Sequence, residues 1–190
     1  MKALEQKILA EGEVFPGNVL KVSGFLNHRL DTKFICEMGQ EIARLFSDVK
    51  IDKILTIETS GIPIAFAAAT ALGVPMVFAK KHKSSNISND VYKAEVYSFT
   101  HSTTYTIIVS KEYISENENV LIVDDFLANG KALIGLMEIV DGAKAKTVGA
   151  CCAIEKGFQG GGDALRKKGV RVQSLAIIES MSEDSITFRK

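Results

Sequence analysis

A run of four apolar residues at positions 120–123, followed at once by Asp124 and Asp125, constrains the fold of this chain more than any other feature. A strand that is apolar at every position is typically covered on both faces, whereas a half-exposed strand alternates apolar and polar residues. We expect residues 126–130 to form a short loop after this strand and residues 131–140 to form a helix. The segment therefore predicts a central strand in a sheet that has helices on both sides.

The rest of the chain alternates short β-rich runs with segments of helical periodicity. This alternation predicts an α/β fold in which a mostly parallel sheet is flanked by helices, and ligands of such sheets bind at the carboxyl ends of the strands. The length of 190 residues suits one domain that spans residues 1–190. The expected strands are residues 53–57, 76–79, 91–99, 105–110, 148–154 and 172–178, and the expected helices are residues 1–12, 33–46, 64–72 and 163–168.

The charge balance and the hydropathy pattern argue against nucleic-acid and membrane partners. Lys plus Arg and Asp plus Glu both number 23, so the net charge is zero, whereas a nucleic-acid binder usually has a basic excess. Residues 62–79 are nearly uncharged, but Gly73 and Pro75 divide them, which predicts a buried helix followed by a buried strand. The N-terminal residues predict a short charged helix that lacks the apolar core of a signal peptide.

The three cysteines are consistent with a cytoplasmic protein. Cys151 and Cys152 are adjacent, which suits neither an ordinary disulfide nor the spacing of metal ligands. We expect these two residues and Cys36 to be small buried hydrophobic residues in a reducing compartment.

The loop between the central strand and the next helix is a candidate anion-binding site. Backbone N–H groups at the start of a helix point toward a ligand, the helix dipole favours negative charge there, and Gly130 lets the backbone approach closely. Asp124 and Asp125 would then bind another part of the same ligand, either the vicinal hydroxyls of a ribose or water molecules on a bound Mg²⁺. The alternative is a strand that ends in two solvated acids before an ordinary turn.

The sequence VLIVDDFLANGKA, residues 120–132, resembles the phosphoribosyl-pyrophosphate motif of the type I phosphoribosyltransferases. The resemblance implies the type I phosphoribosyltransferase fold, catalytic roles for Asp124 and Asp125, and Mg²⁺ as the cofactor. The family often has Thr at the positions of Asn129 and Ala132, so we expect Asn129 and backbone amides to replace the missing hydroxyl. The residues that the resemblance implies for binding 5-phosphoribosyl-1-pyrophosphate in this motif are Ala128, Asn129, Gly130, Lys131 and Ala132.

Two further segments match the same family. Thr59, Ser60 and Gly61 follow a buried strand and precede a helix, where members of the family bind the pyrophosphate group, although an ordinary helix N-cap has the same residue types. Residues 80–90 are polar and basic and predict a mobile loop, in which Lys81 is the candidate to cover the pyrophosphate. The alternative is a loop that is merely solvated.

Three segments together resemble the xanthine-specific branch of this family over essentially the whole chain. They are LKVSGFLNHRLD (residues 20–31), DDFLANG (residues 124–130) and IEKGFQGG (residues 154–161). The resemblance implies that roughly residues 1–35 form a hood over the active site. It also implies xanthine contacts from Leu20, Asn27 and Lys156, of which Lys156 can donate a hydrogen bond to an exocyclic purine oxygen. Phe158 is either a stacking residue or a core aromatic.

The resemblance therefore implies a homodimeric enzyme of purine salvage with small-molecule substrates. It would transfer a phosphoribosyl group from 5-phosphoribosyl-1-pyrophosphate to N9 of xanthine. Two alternatives stay open: a sister enzyme for guanine, hypoxanthine or adenine, and a regulator of the same fold that binds nucleic acid. The second is disfavoured because one domain uses the whole chain and there is no basic excess. His28, His82 and His101 lack metal-ligand spacing, so we expect no direct metal site.

Overall fold

The computed structural model describes residues 1–81, 90–98 and 103–189. The helices are α1 (Lys2–Glu11), α2 (Thr32–Leu45), α3 (Ile62–Leu72), α4 (Lys131–Gly142) and α5 (Gly161–Lys167), and shorter helical turns lie at Ser23–Asn27, Lys111–Tyr113 and Gly157–Gln159. The strands are β1 (Glu13–Phe15), β2 (Val19–Lys21), β3 (Lys53–Ile57), β4 (Met76–Ala79), β5 (Val91–Ser98), β6 (Thr103–Ser110), β7 (Asn119–Leu127), β8 (Lys146–Lys156), β9 (Val172–Ser182) and β10 (Ser185–Phe188).

The main sheet has the strand order β10-β9-β8-β7-β3-β4. Strands β4, β3, β7, β8 and β9 are parallel to one another, and β10 runs antiparallel against β9. The apolar strand β7 is central, and the predicted α/β fold with a mostly parallel sheet is confirmed. Because the parallel strands share one direction, the carboxyl ends of β3, β7 and β8 meet at one edge of the sheet.

Helices and a second, smaller sheet cover the two faces of the main sheet. On one face α1, α2 and α3 form a core that includes Leu4, Met38 and Ile64. On the other face α4 packs with the antiparallel pair β5–β6. A Cβ atom at Gly135 of α4 would lie 2.6 Å from Cγ2 of Val96, so glycine is what allows helix and hairpin to approach this closely.

Strand β7 is longer than the sequence predicts. We expected it to end at Val123, but backbone pairing with β8 continues as far as Leu127, which pairs with Glu155. The prediction of a loop at residues 126–130 is therefore wrong in its first part, because the connection to α4 contains only residues 128–130. The physical reason is that β8 has 11 residues and supplies hydrogen-bonding partners beyond the apolar run, which the local sequence pattern does not reveal.

The N-terminal segment contains elements that hydrophobic periodicity did not predict. Strands β1 and β2 form a hairpin, and its turn contains Gly17 and Asn18 at φ values of 82° and 61°. The edge strand β10 was also missed. Of the predicted turn and loop segments, residues 82–89 and 99–102, which include His82 and His101, lie outside the described residues. No helix in the part of the chain that the structure describes is long and apolar enough to cross a lipid bilayer.

Candidate functional site

Asp124 and Asp125 lie inside the last part of β7 and are buried, with exposed fractions of 4% and 9%. They are therefore not the two solvated acids of the alternative interpretation. The Asp124 carboxylate accepts a hydrogen bond of 3.0 Å from the backbone N–H of Asp125, and it faces Gly61, where a Cβ atom would lie 2.7 Å from Oδ1. The Asp125 carboxylate accepts a hydrogen bond of 3.4 Å from the side-chain amide of Asn27. The two acids thus face the loop after β3 and the N-terminal segment respectively.

Burial raises the pKa values of both carboxyl groups. For Asp124 the loss of solvation is the largest cause, and the negative charge of Asp125 raises the pKa further. For Asp125 the loss of solvation again raises the pKa, while the hydrogen bond from Asn27 lowers it. Two neighbouring buried carboxylates are costly to keep charged, so this pair favours a ligand that brings positive charge or hydrogen-bond donors.

The connection between β7 and α4, residues 128–130, is here called the anion loop. Gly130 has a φ of 81°, a left-handed conformation that glycine adopts without steric cost. The side-chain oxygen Oδ1 of Asn129 accepts a hydrogen bond of 3.1 Å from the backbone N–H of Lys131, the first residue of α4. The Asn129 carboxamide therefore lies where the α4 N-terminus would receive an anion.

A cavity of about 510 Å³ adjoins the anion loop. Four of the five predicted residues of the motif line it, and the predicted base-binding Lys156 lies on the same wall. The remaining lining comes from the β1–β2 turn, from the β5–β6 sheet and from the turn after β8. The lining residues are Ala128, Asn129, Lys131, Ala132, Lys156, Gly17, Asn18, Val19, Val96, Tyr97, Tyr105 and Gln159.

Lys156 is the last residue of β8, and its ammonium group is held by two neighbours. It donates a hydrogen bond of 2.7 Å to the backbone carbonyl oxygen of Asn18 and lies 5.6 Å from the ring centroid of Phe126. Burial lowers the pKa of Lys156 from its usual value. A partly desolvated ammonium group at a cavity wall is a strong hydrogen-bond donor for a ligand oxygen.

Lys81, just after the end of β4, is anchored near Asp124. Its backbone N–H donates a hydrogen bond of 2.6 Å to Oε1 of Glu58, and its ammonium group lies 5.3 Å from the ring centroid of Tyr105. The positive charge of Lys81 partly offsets the rise in the pKa of Asp124 that burial causes. The pKa of Tyr105 is also raised, mainly by burial and secondly by the negative charge of Asp124. Lys81 thus supplies positive charge at the edge of the sheet where the anion loop lies.

The structure brings the other predicted residues together only in part. Thr59 and Ser60 form the turn between β3 and α3 with Gly61, next to Asp124. Leu20 is buried in the core at 7% exposure and does not line the cavity, although its neighbour Val19 does. Phe158 is 38% exposed, so it is not a core aromatic.

Sequence reasoning missed several residues of the cavity. Asn18 had a usable signal, because Pro-Gly and Gly-Asn dipeptides at residues 16–18 favour a tight turn. No sequence signal marked Tyr97, Tyr105 or Gln159, because the position of these residues depends on how β5–β6 and the turn after β8 pack on the main sheet. Among the described residues, no three His, Cys, Asp or Glu side chains are placed to hold a metal ion by themselves.

Comparisons with known proteins identify relatives of this chain. The family model described as "Phosphoribosyl transferase domain" matches residues 33–181. A xanthine phosphoribosyltransferase of Alkaliphilus metalliredigens is 53% identical over 100% of this chain and 94% of that protein. One of Clostridioides difficile is 50% identical over 100% of both chains, and one of Bifidobacterium adolescentis is 53% identical over 98% of this chain and 97% of that protein.

Solved structures show the same fold at low sequence identity. The crystal structure of an adenine phosphoribosyltransferase from Giardia lamblia with 9-deazaadenine has a TM-score of 0.77 and 22% identity, covering 94% of this chain and 98% of that chain. That of an adenine phosphoribosyltransferase from Thermoanaerobacter pseudethanolicus has a TM-score of 0.74 and 21% identity, covering 92% and 98%. At this identity the likeness concerns the fold.

Proposed function

Because this chain belongs to the phosphoribosyltransferase family, we propose that it transfers the phosphoribosyl group of 5-phosphoribosyl-1-pyrophosphate to N9 of xanthine. The bond between C1 of the ribose and the pyrophosphate oxygen breaks and the bond from C1 to N9 forms. The proton that the imidazole ring of xanthine loses goes to the released pyrophosphate, and the products are xanthosine 5′-monophosphate and pyrophosphate. The observation that carries the proposal is that Lys156 and four residues of the phosphoribosyl-pyrophosphate motif line one cavity of about 510 Å³. The identity of about 50% to xanthine phosphoribosyltransferases over the full chain supports the choice of base.

The 5′-phosphate is proposed to bind at the anion loop. Backbone N–H groups at the start of α4 and the helix dipole favour a phosphate there. Asn129 now bonds the N–H of Lys131 at 3.1 Å, so the phosphate would replace the Asn129 oxygen and then accept a hydrogen bond from the same carboxamide. This exchange supplies a donor that compensates for the hydroxyl missing at Ala132.

The ribose is proposed to lie against Asp124 and Asp125. In the transition state positive charge develops on the ribose ring, and two buried carboxylates provide negative potential where water is excluded. Without substrate the pKa values of both carboxyl groups are raised. When substrate binds, the ribose hydroxyls and the developing positive charge would stabilise the ionised forms of the two carboxyl groups. Transfer then depends on positioning and electrostatics, without a covalent intermediate on the enzyme.

The base is proposed to contact Lys156, Asn27 and Leu20. Lys156 donates to an exocyclic oxygen of xanthine, and the amino group of adenine cannot accept that hydrogen bond. A site built to pair a polar group strongly rejects an analogue that leaves it unpaired. Asn27 offers a donor and an acceptor from the N-terminal segment, which would act as the hood. Leu20 lies in β2 of the same segment, and because its side chain is buried it would contact the base through its backbone.

The pyrophosphate is proposed to lie between Lys81 and the turn of Thr59, Ser60 and Gly61. The residues present fit a magnesium ion that arrives with this group, because Mg²⁺ is usually bound by one or two carboxylates together with substrate phosphates rather than by a protein cage. Asp124 or Asp125 would reach it through water. Mg²⁺ would supply charge neutralisation of the leaving pyrophosphate.

We further propose that the enzyme works in the cytoplasm as a homodimer, with residues 1–190 as one domain. Cys151 and Cys152 are buried as expected, whereas Cys36 of α2 is exposed, so its predicted burial is wrong. All three are free thiols, which favours a reducing compartment. The net charge of zero gives no support to a nucleic-acid partner.

The test is a spectrophotometric assay of the purified protein with 5-phosphoribosyl-1-pyrophosphate and Mg²⁺ against xanthine, guanine, hypoxanthine and adenine. We expect the highest kcat/KM with xanthine and almost none with adenine. If adenine were the best acceptor, the role of Lys156 would be refuted. Tight binding of nucleic acid without turnover of any base would instead support a regulator.

A further inference from the structure

One of the glycines that follow β8, Gly161, lies directly against the anion loop. The backbone N–H of Gly161, the first residue of α5, donates a hydrogen bond of 3.1 Å to the carbonyl oxygen of Ala128. A Cβ atom at Gly161 would lie 2.3 Å from that oxygen and 2.6 Å from the backbone nitrogen of Gly130. Both neighbours are backbone atoms, so even one methyl group at Gly161 would force the anion loop to move.

An ion pair between a buried carboxylate and a partly exposed arginine fixes the helix that carries Gly161. The Glu155 carboxylate at the end of β8 is 0% exposed and accepts two hydrogen bonds from Arg166 of α5, at 2.9 Å and 2.6 Å. The hydroxyl of Ser174 on β9 donates to the same carboxylate. At Gly162 a Cβ atom would lie 2.1 Å from Oε1 of Glu155, so α5 lies flat against the carboxylate.

Glu155 also lies between the two halves of the proposed site. It pairs with Leu127, the residue that precedes the anion loop, and it precedes Lys156 in the chain. The end of β8 therefore carries both Glu155, which holds α5, and Lys156, which is proposed to bind the base. None of these contacts reaches the cavity itself, because neither Glu155, Gly161 nor Arg166 lines it.

We propose that Gly161, Glu155 and Arg166 are positioning residues for the 5′-phosphate: the ion pair holds α5, and the bare backbone of Gly161 sets the shape of the anion loop. The inference deepens the proposed function and rests on it. A binding constellation tolerates displacements of only about half an ångström, so a shift forced at Gly161 should weaken phosphate binding without touching the base site.

The test compares Gly161→Ala with Gly142→Ala, a matched control at the end of α4. At Gly142 a Cβ atom would make an ordinary contact of 3.6 Å with Tyr92, away from the anion loop. The measurements are kcat, the KM values for both substrates, the Kd for ribose 5-phosphate by calorimetry, and thermal unfolding. For Gly161→Ala we expect roughly a tenfold or larger rise in the KM for the sugar pyrophosphate and in the Kd for ribose 5-phosphate, with the KM for xanthine changed less than about threefold.

A second variant, Glu155→Gln, decides the question if Gly161→Ala does not fold. The substitution keeps the shape of the side chain and an acceptor for Arg166 but removes the charge. We therefore expect a smaller rise in the KM for the sugar pyrophosphate, again with the KM for xanthine nearly unchanged. Equal changes for both substrates in the folded variants, or lost thermal stability with unchanged ribose 5-phosphate binding, would overturn the inference. A wild-type protein that neither binds ribose 5-phosphate nor turns over any purine would overturn the proposed function itself, and this inference with it.

Discussion

The ammonium group of Lys156 donates a hydrogen bond of 2.7 Å to the backbone carbonyl oxygen of Asn18, which ties the end of β8 to the tip of the N-terminal hairpin. Asn18 has a φ of 61°, so its carbonyl direction depends on a left-handed turn. A lysine ammonium has further N–H donors for a ligand oxygen. One side chain can therefore hold the hairpin over the cavity and still offer a hydrogen-bond donor to a ligand.

Lys156→Ala should raise the KM for xanthine far more than the KM for the sugar pyrophosphate. The loss of one charge-assisted hydrogen bond costs about 1–3 kcal/mol, or roughly 5- to 150-fold in KM. Hydrogen exchange of residues 13–21 should also become faster, because the tie to Asn18 is lost. Lys50→Ala is the control, since the Lys50 side chain is 78% exposed. Similar changes in both KM values would contradict the assignment.

Replacing Asp124 and Asp125 by Asn should lower kcat by roughly 10²-fold or more, because the negative potential at the ribose is lost. At high pH the folded state of the variant should be more stable than that of the wild type. Burial raises the pKa values of both carboxyl groups above their unfolded-state values, so they favour folding at low pH and lose that contribution as the pH rises through the folded-state pKa values. Thermal unfolding at pH 5 and pH 8 measures this, and near-normal turnover would refute the motif assignment.

Asn27→Ala should move the acid limb of the kcat/KM profile to higher pH. The Asn27 amide lowers the pKa of Asp125 through a hydrogen bond of 3.4 Å, so its removal should raise the pKa of a carboxyl group that we propose to be ionised during transfer. The measurement is a pH–rate profile with both substrates. His28→Ala, at the neighbouring exposed position, should leave the limb in place. An unchanged profile for Asn27→Ala would argue that Asp125 does not titrate in catalysis.

Lys81→Ala should raise the KM for the sugar pyrophosphate and leave the KM for xanthine nearly unchanged, because Lys81 is proposed to face the leaving group. Tyr105→Leu should have a weaker effect of the same kind, roughly two- to fivefold, since the ring at 5.3 Å holds the ammonium group by a cation–π contact. Tyr105→Phe keeps the ring and should behave like the wild type. A larger effect on the KM for xanthine than on the KM for the sugar pyrophosphate would contradict the proposed position of Lys81 beside the leaving group.

The sequence by itself determined the parts of this protein that depend on neighbouring residues. The continuous apolar run of β7 shows that it is covered on both faces, and the glycine at position 130 marks the turn into α4. Helical and strand periodicity placed most of the elements of the α/β fold within a few residues of their observed bounds. The resemblance in the three motifs indicated the family that the comparisons then showed.

Only the tertiary structure decided which distant residues complete the site. Lys156 and Asn18 are 138 positions apart, and no local pattern indicates that their side chain and carbonyl meet. The same holds for Tyr105 beside Lys81, for Gly161 against the anion loop, and for the length of β7, which β8 sets through backbone pairing. Local propensity acts over a few residues, whereas these contacts arise from the packing of whole strands and helices, so they exist only once the sheet has formed.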